Sequence, residues 1–164
     1  MYETILYFFK ADSRAIIPSK RDEDAGYDVY MLPTKEAVII MPGETYLADT
    51  GLRSAFEKDY VLIGKERGST GTKGLRFGAG VFDSGYRNNL LIPINNTNNV
   101  PIVLLPEGHK YTEDDNSLIY HQEKAIGQLL LIPLAKAKLK EVDEETFNSF
   151  TSERGMGRLG SSNK

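Results

Sequence analysis

The chain has 164 residues, 40% of them hydrophobic and 26% charged, which is the make-up of one soluble domain with room for a sizeable core. Its 20 basic and 23 acidic residues leave a net charge of −3, so no general attraction to nucleic acid is expected, and an anionic ligand would need a local cluster of Arg, Lys and backbone N–H groups. Cys is absent, which excludes disulfides and thiolate metal sites; His109 and His121 are too far apart for a helical or hairpin-turn ligand pair, so a metal here would be a hard cation on oxygen ligands, such as Mg²⁺. Met1 to Ile5 has no basic region ahead of an apolar core, and no run reaches the roughly 18 apolar residues of a membrane span. The expectation is a cytoplasmic protein with no membrane contact.

In chain order, the first apolar run is Ile5 to Phe9. A charged stretch then leads into Asp24-Ala25-Gly26-Tyr27-Asp28-Val29-Tyr30, which enters a strand; Asp28 there either holds a metal-bound water or pins a turn. Strands are predicted over Ala37–Met41, closed by Pro42-Gly43, over Thr45–Ala48 and over Tyr60–Ile63. The next segment, Gly64 to Gly74, combines cations, hydroxyls and glycines around a single helical turn at Ser69–Lys73. Its glycines let backbone N–H groups converge on an anion, and Arg67 can clamp phosphate oxygens in a bidentate manner. It is not a P-loop, because Lys73 is followed by Gly74 rather than Ser or Thr. A plain surface turn is the competing reading.

Gly78 to Arg87 is the most informative stretch. Val81 and Phe82 read as the end of a buried strand, Asp83-Ser84-Gly85 as a turn, and Leu90–Ile94 as the returning strand of a hairpin. One carboxylate, Asp83, then stands at the hairpin mouth, able to accept a proton from water, with the ring of Tyr86 three residues on to pack against a flat or apolar ligand face. Further strands are predicted over Ile102–Leu105 and Gln128–Pro133, and Gln128 offers an amide donor and acceptor to a ligand or to neighbouring backbone. Between them, about 107–123 is polar and reads as an extended hairpin or loop, either a neutral elaboration or a protein-partner surface. A second short helix is predicted within Glu141–Phe150. Thr151 to Lys164 is rich in Gly and Ser and has almost no apolar content, the composition of a mobile tail, yet its Arg154 to Ser162 repeats the phosphate-loop chemistry. Strands at this spacing imply an all-β sandwich or barrel.

Taken in order, these segments resemble the five motifs of the trimeric dUTP diphosphatase (dUTPase) family: Asp24–Tyr30, Arg67-Gly68-Ser69 with Lys73, Gly78–Arg87, Ile126-Gly127-Gln128 and Arg154–Ser162. The resemblance implies a distorted jelly-roll β domain over 1–150, a Gly-rich arm over 151–164 that closes the site, and a homotrimer with sites at subunit junctions. It implies hydrolysis of dUTP to dUMP and pyrophosphate, with Mg²⁺ held mainly by the triphosphate and reached by Asp28 through water. Asp83 would deprotonate the attacking water, and Tyr86 would stack on the deoxyribose and leave no room for a 2′-hydroxyl. Backbone groups of Gly80, Val81, Phe82 and Leu91 would read the uracil edge. Arg67, Gly68, Ser69 and Gln128 would hold phosphate oxygens, Arg154 would neutralise transition-state charge, and Leu159, Gly160 and Ser161 would cover the nucleotide. The chain departs from the family pattern at Gly68 (usually Ser), Asn88 (usually Gly) and Leu159 (usually Phe), and its 107–123 segment is longer than the fold requires. Two alternatives remain. One is a dUTPase fold with a protein-binding regulatory role. The other is a relative of dCTP deaminase, which Pro93 disfavours because it stands where that family has its Glu base.

Overall fold

A computed structural model describes residues 4–112 and 116–157. In it the turn-bounded apolar runs become short strands: β1 (Tyr7–Lys10), β2 (Tyr27–Val29), β3 (Val38–Ile40), β4 (Thr45–Asp49), β5 (Leu52–Ala55), β6 (Tyr60–Lys65), β7 (Leu75–Phe77), β8 (Val81–Phe82), β9 (Leu91–Asn96), β10 (Ile102–Leu105), β11 (Leu118–His121) and β12 (Gly127–Pro133). Two short helices, α1 (Gly68–Gly71) and α2 (Glu144–Ser149), fall where single helical segments are predicted. The strands form four small sheets, ordered β1-β5, β11-β10-β3, β2-β12-β6-β8 and β4-β9-β7, around one apolar core. This is the expected jelly-roll β-fold. The chain divides into two units between Leu134 and Ala135, and all twelve strands belong to the first.

Side-chain alternation decides which residues enter the core. Along β9, Ile92, Ile94 and Asn96 point inward while Leu91 stays exposed, the period of two that a half-buried strand demands. β10 is buried along its whole length because β3 and β11 flank it on both edges. The Pro42-Gly43 signal holds: Gly43 has φ of 79°, and Glu44 N donates to Met41 O at 3.0 Å, closing a turn that only a residue tolerant of positive φ fits. Pro93 sits inside β9 opposite Leu47, beyond the last β7 pairing, and its carbonyl accepts Gly78 N at 3.0 Å. Its missing donor therefore breaks no ladder bond to β7.

Two expectations need correction. β8 pairs with β6, and β9 with β4 and β7, so Asp83 stands on a link between two sheets rather than at the mouth of a hairpin. The turn itself is as predicted, with Tyr86 N donating to Asp83 O at 3.0 Å. The polar 107–123 segment is neither a hairpin nor a free loop at its C-terminal end. There β11 pairs with β10 in parallel, and Leu118 and Tyr120 pack against the core. A parallel partner needs a connection of about a dozen residues, which accounts for the length of the segment. Buried Gln122 locks it down: its Nε2 donates to Leu104 O at 2.9 Å and to Thr34 Oγ1 at 2.8 Å, and its Oε1 accepts Thr34 N at 2.9 Å. Asp114 and Asp115, at the tip, lie outside the described residues.

Candidate active site

β2, β12 and β6 lie side by side, and their register brings distant parts of the sequence to one place. Asp28 is opposite Gln128, and Gln128 is opposite Lys65, two residues before Arg67. A cleft of about 730 Å³ opens here, lined by Asp24, Asp28, Arg67, Gly68 and Gln128 together with Ser19, Lys20, Arg21, Glu23, Ala25 and Gly26. Arg67 Nε reaches Asp28 Oδ1 at 2.9 Å. Asp28 is thus engaged by a guanidinium and keeps its other oxygen for a further donor. Arg21 grips Asp24 with two bonds of 2.9 and 3.1 Å, and these hold the Asp24 carboxyl below the usual range. Gln128 Nε2 donates to Glu66 O at 2.9 Å, so its donor serves neighbouring backbone while Oε1 rests against Gly26.

Arg67 is the N-cap of α1, and its backbone N–H donates to Thr70 Oγ1 at 3.1 Å. The first N–H groups of any helix have no intrahelical acceptor, which leaves those of Gly68 and Ser69 available to an anion. The loop is fixed behind by Glu66, whose Oε1 accepts Phe77 N at 3.0 Å. Burial pushes the Glu66 carboxyl upward, but the Phe77 N–H, its own backbone and Lys65 together hold it below its ordinary value. That contribution is present near neutral pH and fades as pH falls through the lowered value. Lys20 and Arg21 were not singled out from the sequence, although the basic pair at the head of the charged stretch was a visible signal.

Asp83 and Tyr86 do not line this cleft. The antiparallel pair Leu62↔Phe82 places Asp83 one step further on, level with Val61. From Val61 to Lys65, the end of β6, is roughly 13 Å of strand at 3.3 Å per residue, and Arg67 lies two residues beyond that end. Asp83 is exposed, and Tyr86 is 38% exposed, with its ring 6.4 Å from that of Phe82. β8 is an edge strand, so its outer backbone groups are free for a ligand edge, and Val81 is 68% exposed beside them. Leu91 pairs with Asp49 on one side only, because β7 reaches no further than Ile94. Gly80 is required for close approach: Gly64 N donates to Gly80 O at 2.6 Å, and a Cβ at Gly80 would strike the Gly64 carbonyl. Gly80→Ala should therefore cost about 1–3 kcal/mol of stability by forcing β8 off β6, read as a lowered denaturation midpoint. An unchanged midpoint would show that the two strands part without strain.

In the second unit, Asp143 caps α2, its Oδ1 accepting Thr146 N at 2.8 Å. Arg154 Nε donates to Gly157 O at 3.1 Å. Leu159, Gly160 and Ser161 lie outside the described residues. Among the described residues no group of three or more His, Asp or Glu is placed to hold a metal, and no helix is long and apolar enough to cross a membrane.

The profile of the dCTP deaminase-like family matches residues 3–110. A deoxyuridine 5′-triphosphate nucleotidohydrolase of Nautilia profundicola is 30% identical, over 94% of this chain and 96% of its own length. The Pol polyprotein of caprine arthritis encephalitis virus is also 30% identical, but the match spans only 12% of that longer protein. Among solved structures, a dUTPase of Staphylococcus bacteriophage 80alpha with dUpNHpp aligns with a TM-score of 0.76 at 27% identity, covering 98% of this chain and 99% of that one.

Proposed function

The chain belongs to the deoxyuridine 5′-triphosphate nucleotidohydrolase family of dCTP deaminase-like domains, and from that membership we propose that it hydrolyses dUTP to dUMP and pyrophosphate. One observation carries the reading: Asp28, Arg67, Gly68 and Gln128, from three segments far apart in sequence, line a single charged cleft. Arg67 and the Gly68 N–H bind phosphate oxygens there, the second hydrogen of Gln128 Nε2 serves another, and Ser69 adds its N–H from the neighbouring pocket that Arg67 also lines. Of the acids of the cleft, Asp24 and Asp28 are already engaged by guanidinium groups, and among the described residues no three carboxylates are placed to hold a metal. Mg²⁺ would be held mainly by the phosphate oxygens of the substrate, with the second oxygen of Asp28 able to receive one of its waters. When bound, it offsets charge on the phosphates.

Asp83 takes the proton of the attacking water, and Tyr86 lies on the deoxyribose, while the free edges of β8 and Leu91 read the uracil. Arg154 neutralises charge as the bond to pyrophosphate breaks, and the residues after it, Leu159 to Ser161, cover the nucleotide. Hydrolysis at phosphate is largely positioning plus charge neutralisation, so this set is sufficient without a covalent nucleophile. The placing of Asp83 and Arg67 toward opposite ends of β6 supports a site completed by a second copy, in a closed homotrimer of roughly 55 kDa.

Purified chain with Mg²⁺ should release pyrophosphate from dUTP far faster than from UTP, and should release no ammonia from dCTP. Tyr86→Ala should narrow the preference for dUTP over UTP. Absence of dUTP turnover in a folded sample would overturn the reading. An unchanged ratio in the variant would place sugar choice elsewhere.

A further inference from the structure

We propose that Asn89 is a positioning residue for the ring of Tyr86, an inference that rests on the reading above in which that ring meets the sugar. The link Asp83–Leu90 passes from β8 to β9 and so from one sheet to another, and no ladder bond fixes it along the way. Bonds within the link set its shape: Tyr86 N to Asp83 O at 3.0 Å, the Arg87 guanidinium on Ser84 O and on Tyr86 O, and Asn89 N to Asn88 Oδ1 at 2.9 Å. They do not set where the link stands relative to the sheets. That is done at its far end.

Asn89 Nδ2 donates to both oxygens of Asp49, at 3.0 and 3.2 Å, and Asn89 Oδ1 accepts from Arg53 Nε at 3.1 Å. Asp49 ends β4 and is itself fixed by Gly51 N at 2.7 Å; Arg53 lies on β5. The next residue, Leu90, continues the attachment, donating to Leu52 O at 2.8 Å and accepting Thr50 Oγ1 at 2.9 Å. The backbone carbonyl of Asn89 then accepts the phenol of Tyr86 at 3.0 Å. One end of the ring therefore leans on Phe82, and the other is tied to the Asn89 carbonyl, in a peptide group held on one side by the Leu90 N–H bond to Leu52 O and on the other by the Asn89 side chain. An aromatic χ2 has a broad well, so without the second tie the ring is free to tilt.

Only an amide suits the place, since Asp49 needs a donor and Arg53 an acceptor. Asn89→Ala would let Asp49 and Arg53 turn to each other and leave the link unattached. Asn89→Asp would set carboxylate against carboxylate. Pairing Asn89→Asp with Asp49→Asn returns a donor at 49 and an acceptor at 89, with Arg53 still served and Gly51 N still accepted by the amide oxygen.

The test measures kcat and KM for dUTP and for UTP in wild type, Asn89→Ala, Asn89→Asp and the paired exchange, with amide hydrogen exchange over residues 83–90 in each. Misplacing a contact by about 1 Å can cost on the order of 10²-fold. Both single variants should lose turnover of dUTP on that scale, narrow the dUTP-to-UTP ratio and speed exchange in the link. The paired exchange should restore all three, which a mere loss of packing could not explain. Asn89→Ala with wild-type ratio and exchange would overturn the inference, as would a paired exchange no better than Asn89→Asp. Wild-type chain inactive on dUTP would instead remove the functional reading, and the exchange data, which need no substrate, would still decide the anchoring.

Discussion

Asp83→Asn should slow dUTP turnover by on the order of 10²–10⁴-fold, the loss expected when a general base is removed. The reason to expect so clean an effect is structural. The turn at Asp83 is closed by its backbone carbonyl, which accepts Tyr86 N, and not by its carboxylate. Asn is nearly isosteric, suits the same turn position and leaves the pairing of Phe82 with Leu62 untouched. Stability and nucleotide affinity should therefore stay close to wild type while turnover collapses. Pyrophosphate release, calorimetric binding of a non-hydrolysable dUTP analogue and a thermal melt separate the three. A homogeneous variant with near-normal turnover would show that another group takes the proton. A variant that loses binding in step with turnover would make Asp83 a binding group instead.

Stopping the chain after Phe150 should leave the β-fold and its melting temperature nearly intact but cut dUTP turnover by two or more orders of magnitude. All twelve strands and the buried core precede Leu134, so the truncation removes no strand and no residue of that core. It does remove Arg154, and a transition-state arginine is worth roughly 10³-fold or more in other phosphoryl-transfer enzymes. Arg154→Ala in the full chain should reproduce most of the loss, chiefly in kcat. The difference between the two variants then measures what the rest of 151–164 adds. Full activity in the truncated chain would remove the arm from the mechanism. So would an Arg154→Ala variant that keeps wild-type kcat.

Much of this molecule is legible without coordinates, because local chemistry settles it. Pro42-Gly43 turns, Asp83 to Tyr86 turns, and the Ser69 region makes one helical turn, each through backbone preferences that act over four residues or fewer. The burial of Ile92, Ile94 and Asn96 along β9 is not among these, because Leu90 to Ile94 is apolar throughout and carries no period of two. The strands that pattern alone leaves out, β5, β7 and β11, are short and mixed. Leu52-Arg53-Ser54-Ala55 and Leu75-Arg76-Phe77 have too few residues for a periodic signal, and tertiary pairing makes them strands.

The sequence by itself determined the chemistry available to this protein: a carboxylate and a ring three residues apart, an arginine beside small residues that let backbone approach an anion, a lone amide at a strand start, and no thiol. Those properties belong to single residues and to near neighbours, and no fold can change them. Only the tertiary structure decided which of them meet. Register is a long-range property, fixed by how whole strands bury their apolar faces. It set Gln128 between Asp28 and Lys65 and gave the phosphate cleft its members, and it carried Asp83 the other way along β6. The same pairing turned a presumed hairpin into a link between sheets. Such a link is attached only at its far end, by the bonds of Leu90 to Leu52 and Thr50 and by the side chains of Asp49, Arg53 and Asn89, groups that lie on separate segments and meet only once the sheets have closed.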